Sequence, residues 1–285
     1  MNTPVRAYLA LLIALALGWL VLRLPAFGAV PASAGVVAAT VLYAGSHMAR
    51  MLRLALLSLD RRDRAFALAS AHALTAFPSS FAPFKAGELL RLVALVRAHG
   101  NRGKAVALWL AERCGDVVVI SVFILALYLF DVDVPPAMRT VLVLFLLASL
   151  AGLFALLAVA KTFVFLNRHL VLVSHSRHGL LLLRASHALR RLELHFQRCL
   201  EGRTAAFLLL SLVVWTLELA ALGLFFRTAG SGGDFAATFA ASLLHALPGR
   251  AAGGFGLYQS LALVLLTLIF TGAVALAAHL TSKRP

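Results

Sequence analysis

Ionisable residues interrupt the apolar stretches of this chain, and their spacing decides which chemistry they can perform. Lys85, Glu88 and Arg91 follow one another at three-residue intervals, which makes them neighbours along one helix. Glu112 and Asp116 are four residues apart and therefore share a helix face. Alternating charges at such spacings can form ion pairs, hold a charged ligand or relay a proton.

Three more charged residues extend this set. Arg113 lies beside Glu112, Glu218 lies inside a later apolar stretch one turn after Trp215, and Arg250 lies on a segment rich in proline and glycine. The set is balanced, with four basic and four acidic members: Lys85, Arg91, Arg113 and Arg250 against Glu88, Glu112, Asp116 and Glu218. Burying such a residue in a membrane costs at least about 2.5 kcal/mol, so each is a candidate for function.

Two interpretations of this balanced set stay open. The charges can neutralise one another and only hold the helices together, because buried ions are normally paired. Alternatively, the basic members bind an anionic headgroup, while the acidic members orient them or relay a proton. The N-termini of helices that begin after a proline- or glycine-rich break would add further hydrogen-bond donors. The spacing of the histidines fits no metal site, and we predict neither a metal nor a cofactor.

The elements that must position these charges are membrane helices. Of the 285 residues, 62% are hydrophobic and 13% are charged, and the mean hydropathy is +0.94. The apolar stretches repeatedly reach the roughly 20 residues that a spanning helix needs. They lack the alternation of barrel strands. The net charge of +15 collects between the apolar stretches, which is typical of cytoplasmic loops and argues against nucleic-acid binding.

We therefore predict an all-α polytopic membrane protein, a single integral-membrane domain over residues 1–285. About six full spans are expected, at residues 5–24, 34–57, 105–130, 140–160, 204–226 and 259–280. The first is expected to remain uncleaved rather than act as a secretion signal. The distribution of basic residues places both termini in the cytoplasm and the protein in a bacterial-type inner membrane.

Two further segments are predicted to be broken, re-entrant hairpins. The first, at 65–83, has flanking basic residues on both sides, and the second spans 235–258. Their expected backbone breaks are Pro78, Pro83 and Gly87 in the first, and Pro248, Gly249, Gly253, Gly254 and Gly256 in the second. They would enter the membrane from opposite faces, so that the two halves of the chain form an inverted repeat. This repeat is inferred from topology alone. Paired broken segments indicate a transporter's binding site.

The basic stretch 161–203 is predicted to be cytoplasmic and to contain an amphipathic helix over 177–198. Its basic face either lies against anionic headgroups of the inner leaflet or is simply solvated. Both interpretations place the helix on the inner side.

Four motifs resemble those of the lysylphosphatidylglycerol synthase transmembrane-region family, whose members are also called flippase-like proteins. Pro83–Arg91 (PFKAGELLR) is similar to the family's Pro-x-Arg/Lys-x-Gly-Glu-x-x-Arg, and Glu112–Asp116 is similar to its Glu-Arg-x-x-Asp. Trp215 and Glu218 match Trp-x-x-Glu, and Leu247–Gly256 is similar to the closing Pro-Gly…Gly-x-Gly segment. The matches occur in family order.

The resemblance implies a bundle with re-entrant elements that moves lipid between leaflets. Members occur fused to aminoacyl-phospholipid synthase domains or near glycosyltransferases, but this chain carries no segment for the soluble aminoacyltransferase and is not expected to be an enzyme. Two departures stand out. Gln259 stands where the family often has Glu, and Lys85 replaces the commoner Arg, which keeps the charge but loses bidentate geometry.

The leading prediction is a flippase-like protein for a phospho- or isoprenoid-type lipid, with the charged set and Trp215 lining its route. Its expected partners are membrane lipids and a lipid-modifying enzyme or glycosyltransferase. Two alternatives stay open: a non-catalytic accessory subunit of a lipid or glycan biosynthesis system, and an integral-membrane enzyme that modifies lipid.

Overall fold

The computed structural model describes residues 3–28, 33–81, 86–130, 139–140, 142–152, 158, 162, 165, 177–229 and 255–282. Within these ranges the regular structure is helical. The helices are α1 (Thr3–Phe27), α2 (Ala34–Leu57), α3 (Ala65–Phe81), α4 (Ala86–His99), α5 (Arg102–Leu129), α6 (Leu142–Gly152), α7 (Arg177–Leu200), α8 (Thr204–Ala229) and α9 (Phe255–Ser282). A short 3-10 segment, Leu59–Arg64, joins α2 to α3.

Three helices are long and apolar enough to cross a membrane: Val5–Phe27, Thr204–Thr228 and Phe255–Leu280. Helices α2 and α5 have 24 and 28 residues, about 36 and 42 Å, but carry charged side chains along their length. The span predicted at 140–160 and the broken segment predicted at 235–258 lie largely outside the described residues. The predicted all-helical class is confirmed for the part of the chain that the structure describes.

Helices α2, α5 and α8 form the centre of the bundle. Helices α2 and α8 run antiparallel: Gly35, at the start of α2, touches Thr228 near the end of α8. The absence of a side chain at Gly35 permits this approach, since a Cβ there would collide with Thr228.

Two apolar clusters on these three helices enclose a polar layer. The first cluster contains buried residues of α2, α5, α8 and α9, among them Val36, Ala39, Ile120, Ala221, Phe225 and Phe255. The second contains residues of α2 to α5 and α8, among them Leu54, Leu57, Leu68, Leu95, Leu108 and Phe207. Residues 46–53 of α2, 112–116 of α5 and 211–218 of α8 lie between the two clusters. Charged side chains on these segments are therefore shielded from both ends.

Several connections meet at one end of the bundle, which we call the basic end. The Nζ of Lys104 lies 3.1 Å from Oδ2 of Asp60, and Arg203 donates to the carbonyl of Leu56 at 3.4 Å. Gly100 and Gly202, which close α4 and α7, have φ of 75° and 69°, a left-handed conformation that favours glycine. The cations on these connections or in the helix turns next to them are Arg61, Arg62, Arg64, Arg97, Arg102, Lys104 and Arg203.

Helix α9 packs on α3, and α1 packs on α9 and reaches the second half of α3. The hydroxyl of Tyr8, early in α1, donates to the carbonyl of Leu74 of α3, and the ring of Trp19, farther along α1, lies 6.2 Å from that of Phe77. Helix α1 therefore runs parallel to α3, and its start points toward the basic end. The buried Val264 of α9 contacts Phe77, whereas later residues of α9 reach earlier turns of α3, so the last turn of α9 also points toward the basic end.

Helices α3 and α4 form a hairpin that begins and ends at the basic end. They have 17 and 14 residues, about 25 and 21 Å, which is shorter than the roughly 30 Å hydrocarbon core of a bilayer. Ser79 donates to the carbonyl of Gly87 at 3.1 Å, and a Cβ on Gly87 would come within 2.6 Å of the Ser79 carbonyl oxygen. Gly87 therefore permits a close approach between the two helices.

The structure corrects the expected backbone breaks within the described residues. Helix α3 continues past Pro78 to Phe81. Proline lacks the N–H that would bond the carbonyl of Leu74 four residues earlier, and the hydroxyl of Tyr8 donates to that carbonyl instead, at 3.2 Å. Gly87 and Gly256 likewise lie inside the first turns of α4 and α9. The other expected breaks, Pro83, Pro248, Gly249, Gly253 and Gly254, lie outside the described residues.

Candidate functional site

Arg53 of α2 occupies the centre of the polar layer, with none of its side chain exposed. Its Nη1 donates to Oδ1 of Asp116 at 2.7 Å and to Oγ of Ser211 at 2.9 Å. Its Nη2 donates to Oε1 of Glu112 at 3.3 Å. One guanidinium thus joins α2, α5 and α8, and its planar set of donors suits this arrangement.

Arg50, one turn earlier on α2, connects the layer to the middle of α8. Its Nη2 and Nε donate to Oε1 of Glu218 at 2.7 and 3.3 Å, and its Nη1 lies 3.4 Å from Oδ2 of Asp116. The guanidinium carbon lies 5.7 Å from the ring centroid of Trp215, a cation–π contact. Trp215 also donates from Nε1 to Oδ1 of Asp116 at 3.2 Å.

Arg91 and Arg113 extend the layer to α4. The Nη2 of Arg91 donates to both carboxylate oxygens of the fully buried Glu112, at 2.9 and 2.8 Å. Arg113 Nη2 lies 3.4 Å from Oε2 of Glu88, which also accepts from Nε1 of Trp109 at 3.2 Å. The side chains of Arg113 and Glu88 are 27% and 23% exposed, so the layer is accessible at this edge.

The described part of this layer is a continuous series of ion pairs across four helices, in the order α8, α2, α5 and α4. Four arginines (Arg50, Arg53, Arg91 and Arg113) pair with four carboxylates (Glu88, Glu112, Asp116 and Glu218). Removing one partner from a buried pair typically costs about 3–5 kcal/mol, because an uncompensated charge stays behind. The pairs therefore hold the four helices in one register.

A match to a protein-family model shows which proteins this chain is related to. The model described as the lysylphosphatidylglycerol synthase TM region matches residues 8–282, nearly the whole chain. The chain belongs to the lysylphosphatidylglycerol synthase transmembrane-region family. It is therefore a membrane protein related to lipid handling. A comparison with curated proteins found no match, and a comparison with solved structures found none either.

Most of the residues in the family-like motifs come together in the ion-pair layer. Glu88, Arg91, Glu112, Arg113, Asp116, Trp215 and Glu218 all contact other members of it. Gly115, in the Glu-Arg-x-Gly-Asp stretch, touches Phe207, and a Cβ there would lie 2.8 Å from Oγ of Ser211. This glycine lets α8 approach α5 closely enough for the arginine contacts. Lys85 and Arg250 lie outside the described residues.

Sequence reasoning missed Arg50 and Arg53, which contact three of the four carboxylates. They were counted only as part of an apolar span at 34–57. The signal was present, because two arginines at i, i+3 within a span meet the same criterion that singled out Glu112 and Asp116. Ser46, which donates to Glu218 at 3.2 Å, continues the same face of α2.

A metal centre has no support in the described residues, where no group of three or more His, Cys, Asp or Glu side chains is arranged to hold an ion. The arrangement instead offers guanidinium donors and indole N–H groups next to carboxylates. Such a layer can bind an anionic or zwitterionic group by exchanging internal ion pairs for pairs with the ligand.

Proposed function

We propose that this member of the family translocates a lipid with an anionic headgroup between the leaflets of a bacterial-type inner membrane. The observation that supports the proposal is the layer of ion pairs between two apolar clusters, accessible at Glu88 and Arg113. A helical bundle does not need eight charged groups to hold its helices in register, and burying those groups is costly. A polar headgroup crossing the membrane needs such a layer to replace its hydration.

The proposed orientation places the basic end in the cytoplasm. Its connections carry the cations that the positive-inside rule assigns to the cytoplasmic side. With α1 starting near this end and α9 finishing toward it, both termini are then cytoplasmic. In this orientation the α3–α4 hairpin is re-entrant, because its two helices are too short to cross and both open toward the same side. With the second broken element that the sequence predicts at 235–258, the proposed bundle has six full spans and two such elements.

The charge count favours an anionic headgroup. The described layer is neutral, with four arginines and four carboxylates. The sequence places Lys85 directly before α4 and Arg250 five residues before α9, which raises the cations of the family-like motifs and α2 to six. An excess of cations in the layer favours an anionic group such as a phosphate. The N-terminus of α4, which carries the positive end of the helix dipole, adds to this preference.

A second candidate function is a non-catalytic subunit that anchors a lipid-modifying enzyme or a glycosyltransferase. It is favoured by one observation: each described carboxylate of the layer already has an arginine partner, so the layer is complete without a ligand. An integral-membrane enzyme has no comparable support, and we propose that the chain has no catalytic turnover of its own.

The test is the transfer of fluorescent or native lipids between leaflets in proteoliposomes. Wild type is compared with Arg91→Ala and Glu88→Gln at equal reconstitution. Arg64→Gln is the matched control, because Arg64 forms an exposed ion pair with Asp63 at 3.4 Å outside the layer. Transfer by wild type and the control that both layer variants lose would support translocation. If folded wild type transfers no lipid, the proposal fails, and co-purification of an enzyme would then support the anchoring subunit.

A further inference from the structure

A pair of buried histidines lies beside the ion-pair layer and belongs to none of the family-like motifs. His47 is on α2, one turn before Arg50, and His72 is on α3. They are 9% and 3% exposed, and Nδ1 of His47 lies 3.2 Å from Nε2 of His72. One ring therefore donates a hydrogen bond to the other.

The outer nitrogens of this pair are unpartnered. His47 Nε2 and His72 Nδ1 are both buried, and neither has a hydrogen-bond partner among the described residues. In a neutral pair, one outer nitrogen carries an N–H and the other carries a lone pair, because each ring has a single proton. A buried N–H without an acceptor costs about 1–3 kcal/mol, so the pair is suited to a group that supplies one.

Unpartnered donors of the neighbouring arginines repeat this pattern. The Nε atoms of Arg53, Arg91 and Arg113 are buried and lack an acceptor within the described part of the chain. In the antiparallel α3–α4 hairpin, Ser79 bonds Gly87 on one side of His72 and Arg91, and Leu68 and Leu95 share a buried cluster on the other, which places His72 and Arg91 at the same level. The carboxylates of the layer are already paired with other guanidinium atoms, so these donors remain for an additional acceptor.

We propose that His72 and Arg91 form a subsite for a phosphate oxyanion where α2, α3 and α4 meet. The donor N–H of His72 is on Nδ1 in this arrangement, and His47 is a positioning residue that donates from its own Nδ1 to His72 Nε2. A phosphate offers several strong acceptor oxygens to donors on different helices. The surrounding arginines disfavour a metal cation or a purely cationic headgroup.

The subsite deepens the proposed function by naming the substrate class, a phosphate-headed lipid. Only the identification of the occupant as a lipid rests on that function. The route to it follows α4. Glu88 lies one turn before Arg91 and forms the accessible edge of the layer with Arg113. A headgroup entering at this edge meets Arg91 first and His72 behind it.

The test measures binding to the full-length protein in detergent, so it does not depend on transfer. The probes are phosphatidylglycerol, diacylglycerol with the same acyl chains, and inorganic phosphate alone. We expect wild type to prefer phosphatidylglycerol over diacylglycerol by about tenfold or more, which corresponds to about 1.4 kcal/mol. His72→Leu should lose this preference, and His72→Asn, which keeps a donor near the Nδ1 position, should retain part of it.

The matched control is His99→Leu, since His99 is also buried, at 5% exposure, but lies at the basic end of α4. It should keep the preference. Equal binding of the two lipids by wild type, or an unchanged preference in folded His72→Leu, would overturn the subsite. Competition by inorganic phosphate alone would support the same phosphate site with a soluble occupant, whereas binding of the lipid without such competition would support the lipid.

Transfer in proteoliposomes separates this inference from the proposed function. Lipid transfer without a preference for phosphate would overturn the subsite alone. A phosphate preference that depends on His72, in a protein that transfers no lipid, would overturn translocation alone.

Discussion

Replacing Arg53 with methionine removes the guanidinium at the centre of the ion-pair layer. Asp116 and Glu112 then lose contacts of 2.7 and 3.3 Å in a site with no exposure at Arg53. Breaking a buried pair typically costs about 3–5 kcal/mol. The lower end applies here, because Glu112 keeps Arg91 at 2.8 Å and Asp116 keeps Arg50 at 3.4 Å. A loss of about 3 kcal/mol reduces the folded-to-unfolded ratio more than a hundredfold.

The assay is reversible unfolding of the purified protein by SDS in mixed micelles. Arg64→Met is the control, because an exposed pair such as Arg64–Asp63 contributes about 0–1 kcal/mol. The double variant Arg53→Met/Asp116→Asn should lose less than the sum of the single variants, since neutralising Asp116 relieves the buried charge. The reasoning would be refuted if Arg53→Met lost as little free energy of unfolding as the control. Strict additivity of the losses in the double variant would refute it as well.

Three other substitutions test packing, protonation and the proline site by thermal unfolding in detergent. Gly87→Ala should destabilise the hairpin by about 1–3 kcal/mol through overpacking. Gly18→Ala, with nothing within 4 Å of its Cβ position, should instead stabilise α1 by up to about 1 kcal/mol. Equal effects of the two substitutions on stability would contradict the close approach at Gly87. Burial, aided by the charge of Lys104, lowers the pKa of His99. The unfolded chain then takes up this proton first, so stability should fall as the pH drops below about 6.5, and His99→Gln should weaken that dependence; an unchanged profile would contradict it. Tyr8→Phe should cost about 0.5–1.5 kcal/mol by leaving the Leu74 carbonyl unbonded, and no loss would show that the hydroxyl does not replace the bond missing at Pro78.

The sequence was sufficient to predict the helical class and most partners in the ion-pair layer. Apolar stretches of spanning length and the cost of burying charge are local properties, and they singled out Glu112, Asp116 and Glu218. Arg50 and Arg53 were not identified because the span was assigned from its average hydropathy, which does not reveal two charges on one helix face. Their carboxylate partners lie 59 to 168 residues away in sequence, and no local pattern specifies such pairings.

The behaviour of Pro78 and Gly87 depends on tertiary contacts that sequence spacing does not contain. Pro78 was expected to end a helix, and locally that is the usual effect. Helix α3 continues because Tyr8, on another helix, satisfies the carbonyl that proline leaves free. Gly87 was expected to break the backbone but instead permits contact with Ser79. In both cases the residue type indicated an unusual position, and the neighbouring helix determined its role.

The most direct test of headgroup entry into the ion-pair layer is photo-crosslinking in proteoliposomes, with a phospholipid that carries the photoreactive group in its headgroup. Mass spectrometry would then locate the labelled residues. We predict labelling of α4 and α5 around Glu88, Trp109 and Arg113, reduced in Arg91→Ala. Labelling confined to the connections at the basic end and to outward-facing residues such as Leu89 and Val122, unchanged in Arg91→Ala, would contradict a lipid route through the layer.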